Sequence, residues 1–405
     1  MMKLHYTLSK TVYLCVAVLV FISCTNDDNK GSTPPNDPQL VTITDFQYQG
    51  AFRISSATFG ASSSNYSSGP IAYNPDNHSL FIVGNEQVNA IAEFPIPELL
   101  DKATLAELNA SEAPTQEFTT ILNAVANPTG VDRINGMLYK NGQLIINAEK
   151  WYDASGTNEN TTLVLRDAND LTNTTIDGYY QLNGAANAAG YLSYIPEEWQ
   201  ASFNASYITG WSSVNSIISR YSYGPSLFTF DENDVLNTSA STGPINTNPF
   251  LNFSFANGNH ITPPSNDPGQ DLWNYLSEGI YGFIIPGTRT FAVFGSSGGV
   301  DSGIGYKIIQ DNGNECGGYC AYQAADYYNY YWFFDLDDIL NAENVWDPRP
   351  YAYGRFSVPF DEQGEHSIIG ATFDSGSGML YLCLSKAGQM GTYDRPPLIV
   401  GYKIQ

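Results

Sequence analysis

The stretch "GPIAYNPDNHSLFIVGNEQVNAIAEFPIP", Gly69 to Pro97, holds three apolar runs separated by a tight Asn-Pro-Asp turn and a polar loop. Apolar runs this short, bounded by Asn, Pro, Asp and Gly, read as β-strands. The plan recurs as "INGMLYKNGQLIINAEKWYD" with "TLVLRDANDL", and as "AGYLSYIP" with "SIISRYSYG" and "PSLFTFDENDV". It returns as "IYGFIIPGTRTFAVFGSSGG" with "YYWFFDLDDIL", and as "IIGATFDSGSGMLYLCLSK" with "PLIVGYKI". A further strand-like piece follows each of the first four units: "TQEFTTIL", "DGYYQL", "PFLNFSF" and "YAYGRFSVPF". The fifth unit reaches Gln405 without one, while "FQYQGAFRI", Phe46–Ile54, lies unused ahead of the first. Pairing the two closes a ring and hides the edges that each unit would otherwise expose. The expected fold is all-β: a five-bladed β-propeller in one domain, residues 41–405, its N-terminal strand closing the last blade. Six or seven blades is the alternative if Thr238–Asp271 hides more strands, and a β-sandwich fits the repeats less well.

Composition agrees, since 28 Tyr, 36 Gly and 22 Pro favour strands and turns over long helices. At the N-terminus Lys3 and Lys10 precede "TVYLCVAVLVFIS", an apolar run too short to span a bilayer comfortably and suited to a signal-peptide core. "VFISC" resembles a bacterial lipoprotein cleavage box, which implies a leader over residues 1–23 and lipidation of Cys24. The acidic "TNDDN" behind it is similar to the surface-export signal of Bacteroidota lipoproteins. An ordinary secretory leader with a chance cysteine is the alternative. Residues 24–40 read as the lipidated cysteine and a flexible tether. The resemblance places the protein in the outer membrane, lipid-anchored at the cell surface.

The net charge of −24 becomes −26 without residues 1–23, which carry two lysines and no acid. Nucleic acid is excluded as a partner, because phosphate binding needs a basic stripe. Any anionic ligand must be held by a few local cations. "ECGGYC" offers Cys316 and Cys320 for a disulfide in an oxidising compartment, with zinc the weaker reading, and Cys383 in "MLYLCLSK" is expected to be a buried thiol.

In a propeller the turns between first and second strands lie on one face. The second-to-third loops and the connections between blades lie on the other. The first kind is mostly short here, as in "YKNGQ" and "PGTRT", and the second is long, as in "AEKWYDASGTNENT". Long loops on a rigid scaffold are where sites usually sit. The channel mouth on that face should carry Asp132, Arg133, Glu278, Glu365 and His366 from first strands, and Asn85, Glu86, Glu149, Lys150, Arg220 and Lys386 from second strands. Glu149, Lys150, Trp151, Tyr152, Arg133, Glu278 and Lys386 are the candidate ligand-binding set, against the plain reading of a solvated rim. Arg220 offers a planar fork for carboxylate or sulfate, Tyr223 a general acid or base, or alternatively a packed ring, and imidazole titrates near neutral pH, which makes His366 or His260 a candidate base. A carboxylate pair among Asp132, Glu149 and Glu278 would suit a glycosidase. No cofactor is expected and no metal site, since the acids of "DENDVL" and "DLDDIL" read as turn or helix caps. "IPEEWQASF" reads as an inserted helical cap over the third blade, with Trp211 either a sugar platform or packed beneath it.

With "YIPEEWQASF", "IISRYSYGPSLFTFD" and "RPYAYGRFSVPF" the chain resembles a group of secreted bacterial propeller proteins that share an "IPxEWQ" and "SxGPxxFxFD" pattern. That resemblance implies no activity. Gly84-Asn85 stands where Gly-His is expected, which weakens a histidine role there. The architecture is similar, at fold level only, to propeller polysaccharide lyases and five-bladed glycosidases. The leading expectation is a surface lipoprotein that binds an acidic extracellular polysaccharide, with other glycan-uptake proteins as candidate partners. If it also cleaves, the reaction is β-elimination, with His366 or Tyr223 as base and Arg220 neutralising the uronate. A binder without catalysis and a protein-interaction scaffold are the alternatives.

Overall fold

The computed structural model describes residues 38–211, 217, 220–240, 243–361 and 364–405. The leader, Cys24 and all but the end of the tether lie outside the described residues, as do Ser216, Ile218 and Ser219 of "SIISRYSYG".

Five blades of four antiparallel strands form the ring, and the sheet of blade five carries a further short parallel strand, Ala110–Ser111. Blade one is Ile71–Asn74, Ser79–Val83, Ala90–Pro95 and Gln116–Thr120. Blade two is Arg133–Lys140, Gln143–Glu149, Asn160–Leu165 and Ile176–Gln181. Blade three is Leu192–Tyr194, Tyr207–Thr209, Leu227–Phe230 and Asn248–Leu251. Blade four is Glu278–Ile284, Thr290–Gly298, Tyr327–Asp335 and Ala352–Arg355. Blade five is Ile368–Asp374, Met379–Leu384, Leu398–Ile404 and, from the other end of the chain, Phe46–Ile54. Phe46 pairs with Ile404 and Arg53 with Leu398, so the closure is the expected one. Thr238–Asp271 supplies only the outer strand of blade three and loops, which settles the blade number at five.

Local chemistry explains the hairpins. Blade two turns on Asn141-Gly142, whose φ values of 49° and 76° are those a two-residue turn needs in order to match strand twist. Blade one turns on an Asx contact, the Asp76 amide donating to Asn74 Oδ1 at 3.0 Å. The inner strands are buried on both faces, so they read as unbroken apolar runs. "DENDVL" and "DLDDIL" become the helices Glu232–Leu236 and Leu336–Asn341, capped by Asp231 and Asp335.

Blade three corrects the sequence reading. Its second strand is Tyr207–Thr209, and Tyr221 to Gly224 of "SIISRYSYG" lie in the following loop. The helix Glu197–Phe203 does form, but between first and second strands, on the face of short turns. Trp211 packs away from it, stacked on Tyr221 with ring centroids 3.7 Å apart.

The ring has no open bore. Tyr191 borders it and packs outward between blades three and four, its hydroxyl donating to the Ser226 carbonyl. Glycine makes this possible: a Cβ on Gly136 would collide with the Gly190 carbonyl oxygen, and one on Gly282 would lie 2.8 Å from the Tyr191 ring. The void left beside Tyr191, Ile280, Tyr281 and Met137 is about 10 Å³, room for one water at most.

Candidate functional site

The channel mouth on the long-loop face is a cavity of about 220 Å³ lined by Glu86, Arg133, Glu278 and Lys386, with Tyr66, Asn135, Ile280 and Ile369 among its walls. The four charged residues come from four blades. Arg133 and Glu278 open the inner strands of blades two and four, while Glu86 and Lys386 follow the second strands of blades one and five. All four are residues that the sequence places on this rim.

Three β-bulges shape the cavity. Register slips by one residue between Gly136 and Ile134, between Gly279 and Tyr281, and between Ile368 and Gly370. The extra residues are Asn135, Ile280 and Ile369, and each lines the mouth. A bulge re-aims side chains that a regular strand would send elsewhere. Bulges cannot be read from these apolar runs, because neither face of the strand is polar enough to mark the slip.

The two cations are held by aromatic rings. The Arg133 guanidinium lies 3.8 Å from the Trp151 ring centroid, and Lys386 Nζ lies 5.9 Å from that of Tyr66. Neither has a carboxylate within ion-pair distance among the described residues, whereas Arg166, Arg289 and Arg355 are all paired, with Asp177, Asp335 and Asp301. Trp151 is therefore a support for Arg133. The rest of "LIINAEKWYDASG" serves its own loop. Glu149 is fully buried, Asp132 Oδ1 accepts from the Trp151 amide at 2.9 Å, and buried Asp153 accepts from the amides of Thr157 at 2.8 Å and Asn158 at 3.1 Å. Lys150 and Tyr152 line no cavity described here, and Tyr152 is exposed.

A second, larger groove of about 740 Å³ adjoins through Lys386, which lines both. Its other walls include Glu365, His366, Gln389, Met390 and Arg395, with Thr104 and Leu105 opposite. His366 Nδ1 lies 2.8 Å from the Ser385 carbonyl oxygen. A carbonyl only accepts, so Nδ1 carries the proton and Nε2 is left as an acceptor. The His366 backbone amide donates to Asp361 Oδ1 at 3.1 Å, and Asn329 Nδ2 donates to the His366 carbonyl at 3.2 Å, which fixes the residue in place.

The other two expected catalytic residues do not join His366. Arg220 is exposed and donates to the Ala154 carbonyl at 3.0 Å, outside both cavities. Its Nη2 serves to tie the long loops of blades two and three together. Tyr223 is buried under Phe255, His260 and Tyr275, and burial pushes its hydroxyl well above the ordinary tyrosine value. A phenol so shifted is a poor base. His260 sits in that aromatic cluster, with Nε2 buried. Cys316 and Cys320 are joined by a disulfide, and Cys383 is a buried thiol.

At the opposite end of the ring, on the short-turn face, a cavity of about 260 Å³ is floored by Tyr281, Phe283 and Phe373 and edged by Glu197 and Glu198. Its aromatic and acidic lining contrasts with the ionic mouth.

No family model matches the chain, and no curated protein does. Solved structures with some likeness include a structural genomics protein of unknown function from Bacteroides thetaiotaomicron, 11% identical with a TM-score of 0.34 over 82% of this chain and 58% of that one. This chain thus spans little more than half the length of that protein. A member of the duf4221 family from Bacteroides vulgatus is 12% identical with a TM-score of 0.29, over 82% and 76% of the two chains. Raptor from Chaetomium thermophilum is 10% identical with a TM-score of 0.29, over 89% of this chain and 29% of that one.

Proposed function

We propose that this five-bladed propeller is a surface lipoprotein that binds an acidic extracellular polysaccharide on its long-loop face. The observation that carries the reading is Lys386, common to the mouth cavity and the side groove, with Arg133 on the mouth's other wall. Two cations that are steered by rings and unpaired among the described residues are available to carboxylate or sulfate groups. The path through mouth and groove suits a polymer better than one small anion. The entry of the chain supports the anchoring part. Val41 donates to Thr290 Oγ1 at 3.0 Å and Arg289 to the Gln39 carbonyl at 3.3 Å, so the chain joins the ring on the short-turn face.

Cleavage is the second reading, and the fixed tautomer of His366 favours it. In β-elimination His366 Nε2 would take the proton beside the uronate carboxylate. The electron pair of that C–H bond forms the new double bond as the neighbouring C–O bond breaks. The leaving oxygen then takes its proton back from the imidazolium, and Lys386 balances the carboxylate charge that grows meanwhile.

The test is electrophoresis of the purified protein through gels loaded with alginate, polygalacturonate, hyaluronan or chondroitin sulfate, alongside absorbance of any unsaturated product. Retardation by at least one polymer is expected, weakened about tenfold in Lys386→Glu. Free migration through all four sinks the binding reading. Retardation with no absorbing product leaves a binder and removes the elimination.

A further inference from the structure

Blade four sends out the most elaborate loop on the long-loop face. The strand Thr290–Gly298 pairs Ser296 with Glu278 of the mouth, then leads into a small hairpin, Ile304–Tyr306 against Tyr319–Ala321. The disulfide Cys316–Cys320 ties the middle of the second strand to the segment just before it. Large apolar side chains stand in solvent here: Tyr306 is 57% exposed, Tyr319 39% and Tyr322 49%. Their arrangement is ordered. Tyr319 lies parallel to Tyr275 with centroids 4.7 Å apart and an interplanar angle of 6°, and Tyr306, its cross-strand partner, is 5.1 Å away. Water-facing rings packed against one another have few free rotamers left, so they cost little side-chain entropy when something covers them.

Resting on the glycan reading above, we propose that this hairpin is a second subsite, a tyrosine platform for the uncharged pyranose rings of the same polymer. The flat apolar face of a pyranose matches an exposed aromatic ring, while phenol hydroxyls exchange hydrogen bonds with sugar hydroxyls. The same loop carries exposed amides at Asn312, Asn314 and Gln323, groups that suit polyols, and the Lys307 ammonium lies 5.2 Å from the Tyr306 ring centroid. The platform continues from the strand that frames the mouth, so one chain can lie on both. The mouth takes charge and the platform takes neutral faces. The substrate class is therefore an acidic heteropolysaccharide, in which neutral sugars alternate with acidic ones.

The experiment uses the same gels, comparing hyaluronan, which alternates acidic and neutral sugars, with alginate and polygalacturonate, which do not. Wild type is expected to bind an alternating polymer more tightly. Tyr306→Ala and Tyr319→Ala should each lose about three- to tenfold on that polymer and little on the others, with unchanged unfolding midpoints. Variants that bind every polymer like wild type overturn the platform and leave the glycan reading standing. Free migration of wild type overturns both. Concentration-dependent self-association abolished by the same substitutions would assign the patch to a second copy of the chain and also overturn the platform.

Discussion

Replacing Glu93 by Gln tests how blade one is held together. Glu93 sits in the third strand of that blade at 1% exposure, and its carboxylate takes four side-chain donors. Asn74 Nδ2 at 2.8 Å, Asn77 Nδ2 at 3.1 Å and Ser79 Oγ at 2.5 Å reach Oε1, and Gln116 Nε2 at 2.6 Å reaches Oε2. These donors come from the first strand, the hairpin turn, the second strand and the outer strand, so one carboxylate ties the whole blade. The glutamine side chain keeps the shape but turns one acceptor into a donor. Gln116 cannot simply flip in response, because its Oε1 already accepts from the Leu171 amide at 2.8 Å. Losing one charge-assisted bond and weakening three should cost about 2–4 kcal/mol.

The pH dependence has a definite sign. Burial pushes the Glu93 carboxyl up, but the bonds from Ser79, Gln116, Asn77 and Asn74 together pull it below its ordinary value. A carboxylate with a lowered folded pKa adds stability above its unfolded pKa of about 4.3, and loses it as pH falls through the folded value. Glutamine does not titrate there. Urea unfolding of wild type and Glu93→Gln, followed by circular dichroism, should therefore show a gap at pH 7 that narrows below about pH 4. Other acids titrate in both proteins and cancel in the difference. Equal stability at pH 7, or a gap that widens in acid, would refute the account.

Three further outcomes follow from single contacts. Trp151→Ala removes the ring under Arg133 and should weaken glycan retardation about two- to fivefold with no matching change in fold, as read by the gels and by circular dichroism. Tyr223→Phe deletes a buried hydroxyl that has no hydrogen-bond partner among the described residues, so stability in urea should stay equal or rise by about 1 kcal/mol, and glycan binding should be unchanged. Ala51→Asp puts a charge at the ring closure, where Ala51 is fully buried opposite Val400; a loss of more than about 3 kcal/mol and rapid proteolysis are expected.

Much of the architecture is legible because each strand is an apolar run with its own turn. The closing strand Phe46–Ile54 could be found from a deficit, one blade short of an edge and one strand without a blade. Blade three misled for a physical reason. Its second strand is three residues long and hides behind the helix Glu197–Phe203, while the apolar run that looks like a strand spends its tyrosines on loop packing. The rim positions Arg133, Glu278, Glu86 and Lys386 follow from counting along strands. What counting cannot supply is direction. It does not separate Trp151, which supports a cation, from Tyr152, which faces solvent, nor does it place Asn135, Ile280 and Ile369 on bulges. Glu93 was hidden too, since one acid in an apolar strand shows nothing of the donors that four separate segments bring to it.

The charge of the chain narrows the proposed ligand further. At a net −24 the protein repels a polyanion at distances beyond the Debye length, about 8 Å at physiological ionic strength, and Arg133 and Lys386 act only once contact is made. A compact, densely charged anion pays the full repulsion and gains only two cations, with Glu86 and Glu278 beside them. A polymer that spaces its charges pays less, because neutral sugars can lie between the acidic ones. The narrow bore points the same way, since a void of about 10 Å³ among the inner strands admits no sugar ring and the ligand must lie across the face. Binding energy then has to come from contacts spread over that face. On the proposed reading, exposed Tyr306 and Tyr319 would add such contacts, with the Lys307 ammonium 5.2 Å from the Tyr306 ring centroid.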